Sequence, residues 1–137
     1  MLFKKGKVES IESFRLSISG MRSKDEFEVS CEGSDVKLRQ FVGYHCSDEP
    51  RKPVSEAICD AESFIGLLND CGVMGWDGFH GSHPRNVLDG EMFTFEALVN
   101  GGRRIYASGS ANFPKGFWDL RNGLREILEG QDSARNR

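Results

Sequence analysis

The chain has 137 residues, 38% hydrophobic and 28% charged, with a formal net charge of −3 and a pI near 5.6. This length suits one domain that buries a core without disulfide bonds or structural metal ions. The mildly acidic charge excludes a general attraction to nucleic acid or an anionic membrane. No apolar run approaches the roughly eighteen residues that span a bilayer. No apolar segment follows the first lysines, so the sequence predicts a cytoplasmic protein without a signal peptide.

Alternating polarity predicts three strands at the start of the chain, over residues 11–19, 26–31 and 36–42. In the first, Leu16 and Ile18 alternate with Ser17, which is typical of a half-buried strand. The segment from Glu32 to Asp35 predicts a tight turn between the second and third strands. Connections this short predict an antiparallel meander.

An amphipathic helix is predicted next, over residues 56–71. Ser55 is a candidate N-cap, and Glu56 lies in the first turn, where a carboxylate complements the helix dipole. Gly72 suits the position just past the helix end. The apolar residues at helical spacing are Ile58, Ala61, Phe64, Ile65 and Leu68.

A β-hairpin and a second helix complete the predicted elements. Strands over residues 93–99 and 103–108 flank Asn100-Gly101-Gly102, which tolerates positive φ angles. Pro114 suits the first turn of the last helix. Residues 131–137 are polar, and we expect a disordered tail there.

The predicted order is therefore β-β-β-α-β-β-α, in a single α+β domain over residues 1–130. Strands with one apolar face and helices with one apolar stripe bury these surfaces when one layer of helices packs on one sheet. We expect one mostly antiparallel sheet of about five strands, with two helices packed on one face.

Cysteine usage argues against a metal knuckle or a redox motif. The four cysteines, Cys31, Cys46, Cys59 and Cys71, stand singly, and no CxxC pair occurs. In a reducing compartment such thiols act mainly as small buried hydrophobes.

The glycine-rich segment over residues 72–90 is the first candidate site, because a long connection without a clear period is usually functional. His80 and His83 with Asp77 or Asp89 are residue types that bind metal or serve hydrolysis. Against this, the glycines and the proline of this segment disfavour a helix that would fix ligands. A purely structural interpretation, with two Asp-Gly turns and packed aromatic rings, stays open.

The turn over residues 108–115 is the second candidate site. Its small residues, the free N–H groups of a helix start and Lys115 are suited to a phosphate or carboxylate. No GxxxxGK[ST] or GxGxxG motif supports nucleotide binding. In the last helix Trp118 lies beside Arg121 and Arg125, a composition typical of interface hot spots, although Trp118 could equally fold onto the sheet.

A resemblance extends from Trp76 to Leu120, about a third of the chain. Its motifs are a Gly-Trp turn, an Asp-Gly before an aromatic strand, and a Gly-x-x-Asn-aromatic-Pro turn into a helix. The segment resembles small uncharacterised bacterial α+β domains, a group that implies no activity or catalytic residue. The matching residues are Gly75, Trp76, Asp89, Gly90, Phe93, Phe95, Gly109, Asn112, Phe113, Pro114, Phe117 and Leu120.

These observations favour a non-enzymatic binding or protein-interaction domain that uses residues 72–90 and 108–115 and needs no cofactor. The partner is an unidentified protein or small ligand. The alternative is a small metal-dependent or hydrolytic enzyme using His80 and His83 with Asp77 or Asp89, and homodimerisation through a sheet edge is also open. The predicted binding residues are Trp76, Asp77, His80, His83, Arg85, Ser110, Asn112, Lys115 and Trp118.

Overall fold

The computed structural model describes residues 6–20, 23–44, 52–86 and 90–135. Within these ranges the chain forms seven strands, two α-helices and a 3-10 turn at Val73–Trp76. The strands are β1 (Ile11–Ser19), β2 (Ser23–Glu32), β3 (Asp35–Tyr44), β4 (Pro53–Asp60), β5 (His80–Gly81), β6 (Met92–Val99) and β7 (Arg103–Ser110), and the helices are α1 (Ala61–Cys71) and α2 (Phe117–Arg135).

All seven strands belong to one sheet, in the order β4-β3-β2-β1-β6-β7-β5. Every pair of neighbours is antiparallel except β5 and β7, which run parallel. The predicted α+β class with a single sheet is confirmed. The prediction of about five, mostly antiparallel strands is only roughly right: the sheet has seven strands, because β4 and β5 were not anticipated, and it is mixed.

Strand β4 occupies the segment where the sequence predicted the start of the first helix. Ser55 and Glu56 lie opposite Gln40 and Arg39 of β3. The side chain of Ala57 is buried while that of its neighbour Ile58 is exposed, which is the alternation of a strand. Pairing with β3 overrides a helix-like spacing of apolar residues that is ambiguous over so short a segment.

The first helix begins at Ala61 because Asp60 caps it. The Asp60 carboxylate accepts hydrogen bonds from the Ser63 backbone N–H at 2.8 Å and from the Ser63 hydroxyl at 2.9 Å. At the other end Gly72 adopts the left-handed conformation with φ 73°, so the predicted glycine stop is confirmed.

Both helices pack on the same face of the sheet. The ring of Phe14 in β1 lies 5.5 Å from that of Phe64 in α1, and the ring of Phe93 in β6 lies 4.8 Å from that of Phe117 in α2. Phe14 and Phe93 belong to one continuous core cluster on this face. Helix α2 extends to Arg135, into the segment for which the sequence predicted a tail. Neither helix combines the length and apolar character needed to cross a membrane.

The opposite face of the sheet, which we call the open face, carries no helix within the described part of the chain. Its charged side chains form ion pairs between neighbouring strands and within β2. The Glu26 carboxylate lies 3.2 Å from the Arg15 guanidinium and 2.7 Å from the Lys24 ammonium. On β6 and β7, Glu96 and Arg104 are 3.1 Å apart. These pairs keep the open face polar.

Candidate functional site

Strand register brings a row of hydroxyl and imidazole side chains together on the open face. Ser17 of β1 lies opposite Thr94 of β6, Thr94 lies opposite Ser108 of β7, and Ser108 lies beside His80 of β5. Residues directly opposite one another in a sheet project from the same face. Four strands, distant in sequence, therefore contribute to one polar row.

These side chains line a depression of about 330 Å³ at one end of the open face, which we call the serine–histidine cleft. Lys24, His80 and His83 are the only charged or titratable side chains among the described residues that line it, and none of the lining residues is Asp or Glu. In a chain with 21 acidic and 18 basic residues, a lining without carboxylates is suited to an anion. The hydroxyl-bearing residues of the cleft are Ser17, Ser19, Ser82, Thr94, Ser108 and Ser110.

Each histidine of the cleft meets a serine of β7. Nδ1 of His83 lies 2.8 Å from the Ser110 hydroxyl oxygen, and Nδ1 of His80 lies 3.4 Å from that of Ser108. Which atom donates depends on the tautomer of each ring. The two candidate segments, residues 72–90 and 108–115, thus contact each other through these side chains.

The segment that carries the histidines is held against β7 by backbone hydrogen bonds. Gly78 N–H donates to the Tyr106 carbonyl at 2.9 Å, and Ser108 N–H donates to the Phe79 carbonyl at 3.0 Å. The Asp77 carboxylate accepts from the Tyr106 N–H at 3.0 Å. Asp77 therefore provides the hydrogen-bond acceptor for a backbone N–H of β7. This structural role accounts for its position without a catalytic one.

Close packing around Asn112 fixes the relative position of the two segments. A Cβ atom placed on Gly81 or on Gly109 would collide with the Asn112 carbonyl oxygen. The preceding residue, Ala111, adopts a positive φ of 49°, which is rare for a residue with a side chain. The Asn112 side-chain amide donates to the Ser82 carbonyl at 3.2 Å. Glycine is thus required where β5, β7 and the following turn meet.

Trp76 and Lys115, which the sequence placed on the same surface as the histidines, line a different depression. This second one measures about 440 Å³ and shares no lining residue with the serine–histidine cleft. Trp76 is a core residue with 3% exposure. Its indole N–H donates to the Lys115 carbonyl at 3.0 Å, and its ring packs on Phe95 and Phe117. Burial leaves the indole almost no surface for a partner.

Trp118 is exposed by 41%. Its ring contacts those of Phe113 and Phe117, and the Arg121 guanidinium carbon lies 5.2 Å from the ring centroid. Arg85, also predicted as a binding residue, is exposed. Part of the Trp118 ring therefore packs on neighbouring aromatic rings that lie outside the sheet, and part is exposed; its role at an interface stays a prediction.

Asp77, one of the two carboxylates that the metal hypothesis named, forms no metal-binding group with the histidines. Within the described ranges no three His, Cys, Asp or Glu side chains come together as a metal-binding group, and Asp77 is bonded to β7 as described above. The other candidate, Asp89, lies outside the described residues. The serine–histidine cleft therefore offers hydroxyls and imidazoles as its chemistry.

The three described cysteines, Cys31, Cys59 and Cys71, do not line the cleft, and Cys46 lies outside the described residues. Cys71 is buried at the end of α1, and burial, followed by the nearby Asp119 and Asp70 carboxylates, raises the pKa of its thiol to about 11. Burial also raises the pKa of Cys59, with Asp60 and Asp35 adding to the effect. A raised pKa keeps both thiols protonated and poorly nucleophilic.

No known family model, curated protein or solved structure matches this chain. The resemblance of the Trp76 to Leu120 segment to small bacterial domains accordingly stays a prediction. Function has to be argued from the site itself.

Sequence reasoning missed the part of the cleft that comes from β1, β2 and β6. It left Lys24 outside the predicted strands, and it interpreted Ser17, Ser19 and Thr94 as the solvated faces of separate strands. Their alternation in the sequence shows that they point outward. No local sequence pattern predicts the pairing of β1 with β6, which places Ser17 and Ser19 next to Thr94.

Proposed function

We propose that the protein is a non-enzymatic binding domain and that its ligand site is the serine–histidine cleft. The ligand carries an anionic group. The observation that carries this proposal is the lining: hydroxyls, imidazoles and one ammonium converge there without a carboxylate among the described lining residues. Hydrogen bonds to an ionised group are stronger than those between neutral groups, so an anion benefits most from this arrangement.

The floor of the cleft is held by regular structure, which supports a binding role. Its hydroxyls project from β1, β6 and β7, whose pairing fixes their spacing. Sites built on strands are more precise than sites built on free loops. The histidines lie beside β7, where backbone hydrogen bonds secure their segment.

The proposal is tested by titrating the uniformly ¹⁵N-labelled protein with small anions at constant ionic strength. Acetate, succinate, inorganic phosphate and sulfate form the panel, with glycerol as a neutral control. We expect saturable shifts for at least one anion at the amides of residues 80–83 and 108–110. The double variant Ser108→Ala/Ser110→Ala should weaken that binding, while Ser30→Ala, an exposed serine outside the cleft lining, should leave it unchanged. Glycerol binding alone, or no binding, would contradict the proposal.

Hydrolysis is a second candidate, favoured by the 2.8 Å contact of Ser110 with His83. In that reaction His83 takes the Ser110 proton, the serine oxygen forms a bond to an ester carbonyl carbon, and the alcohol leaves with that proton. Water, giving a proton to His83, then attacks the acyl-serine; the acid leaves and the proton returns to the Ser110 oxygen. The test is hydrolysis of p-nitrophenyl acetate by the protein and by Ser110→Ala and His83→Gln. A rate above buffer that both variants abolish would favour the enzyme; an equal rate in all three would favour binding.

A further inference from the structure

We propose that the anionic group bound in the serine–histidine cleft is a phosphoryl group that bridges the two serine–histidine pairs. This inference rests on the proposed function and narrows its ligand to one chemical class. It covers a free phosphate and a phosphate ester alike, because the contacts concern only the terminal oxygens.

The spacing of the two serines suits a tetrahedral group. Ser108 and Ser110 are alternate residues of β7 and both hydroxyls contact histidines on the open side. Alternate residues of a strand are about 6.7 Å apart. A phosphoryl group has three acceptor oxygens pointing in different directions, so with hydrogen bonds of about 2.8 Å on each side it spans such a gap. A carboxylate has only two oxygens, which the two serines would occupy, whereas a phosphoryl group keeps a third oxygen for another donor of the cleft.

Protonation of the histidines decides where the serine protons point. A serine hydroxyl has one proton to donate. If Nδ1 of His83 lacks a proton, the Ser110 hydroxyl donates to it; if Nδ1 carries one, Ser110 accepts and its own proton is available to a phosphate oxygen. The same holds for His80 and Ser108, whose contact is longer at 3.4 Å. Phosphoryl binding is therefore coupled to a proton on Nδ1.

Lys24 of β2 is the one side chain with a fixed charge among the described residues of the cleft lining, and the other titratable side chains there are the two histidines. The Lys24 ammonium lies 2.7 Å from the Glu26 carboxylate, which also binds Arg15. The charge of Lys24 is therefore shared with Glu26, and the hydroxyls and ring N–H groups supply the main contacts for a phosphoryl group.

The test compares inorganic phosphate, sulfate and acetate by ¹H–¹⁵N NMR titration of the full chain at constant pH and ionic strength. We expect phosphate and sulfate to bind at residues 80–83 and 108–110 at least about tenfold more tightly than acetate. Ser108→Ala and Ser110→Ala should each weaken phosphate binding about tenfold.

Control variants separate the outcomes. Ser110→Thr keeps a hydroxyl and should retain binding, Ser30→Ala should be neutral, and dispersed amide spectra must show that each variant is folded. Acetate binding as tight as phosphate binding in the same cleft would overturn the phosphoryl inference and leave the proposed binding function standing. Saturable binding by none of the anions would overturn both proposals.

Discussion

Asn69 in the last turn of α1 exchanges two hydrogen bonds with the backbone of Val8: the Val8 N–H donates to Oδ1 at 2.8 Å, and the Asn69 amide donates to the Val8 carbonyl at 3.0 Å. Val8 precedes β1 and is 1% exposed. One side chain thus satisfies both backbone groups of a buried residue and fixes the entry to the first strand.

Replacing Asn69 by Ala should lower the free energy of unfolding by about 1–3 kcal/mol, because two buried backbone groups lose their partners. Urea denaturation measures the change. Asn122→Ala is the matched control, since Asn122 is exposed on α2, and its effect should stay within about 0.5 kcal/mol. Equal effects of the two substitutions would contradict a structural role for the Asn69 hydrogen bonds.

The N-cap of α1 should make stability depend on acid pH. Hydrogen bonds from the Ser63 backbone N–H and then from its hydroxyl hold the pKa of Asp60 below its usual value. A depressed pKa contributes stability above the unfolded value of about 3.9, and that contribution is lost as the pH falls through the folded value. Asp60→Asn keeps an acceptor but cannot ionise. The urea midpoints of the two proteins should differ near pH 7, and the difference should shrink as the pH falls below about 3.9; a constant difference would contradict the prediction.

Two glycines should respond to alanine in opposite directions. A Cβ on Gly109 would meet the Asn112 carbonyl oxygen and the Phe93 ring, whereas one on Gly66 in α1 meets nothing within 4 Å. Gly109→Ala should destabilise the protein by about 1–3 kcal/mol. Gly66→Ala should stabilise it by about 0.5–1 kcal/mol, because alanine loses less chain entropy in a helix. Thermal unfolding followed by circular dichroism measures both, and destabilisation by both would contradict the packing argument.

Cys71 should react slowly with alkylating reagents. Its thiol pKa of about 11 leaves about one molecule in a thousand ionised near pH 8. Cys31 is exposed, although its thiol donates to the Ile11 carbonyl at 2.6 Å. Mass spectrometry after iodoacetamide treatment should show Cys31 modified at least about tenfold faster than Cys71. Faster modification of Cys71 would mean that α1 opens at its end.

Local pattern predicted the elements that depend on neighbours in the chain. The meander of β1, β2 and β3, the hairpin of β6 and β7, and the glycine stop of α1 follow from alternation and turn residues that act over a few positions. The β4 segment was predicted to be helical because Ile58 and Ala61 continue the helical spacing of the apolar residues in α1. Only its pairing with β3 distinguishes a strand from a helix there.

The site could be predicted only in part for the same reason. His80, His83 and Ser110 stand out by residue type in glycine-rich segments. Ser17 and Thr94 are ordinary polar residues until β1 and β6 pair. That pairing brings together residues 77 positions apart in the chain (94 − 17), and periodicity carries no information on it.

The β1–β6 contact also sets the order in which the molecule can be assembled. The first four strands form with contacts between neighbours in sequence, but joining them to the hairpin closes a long loop, which costs entropy and slows folding. The cleft straddles this seam, with Ser17, Ser19 and Lys24 on one side and β5, β6 and β7 on the other. A ligand that contacts both sides binds only after the halves have joined, so it should slow global unfolding and protect the seam amides from hydrogen exchange.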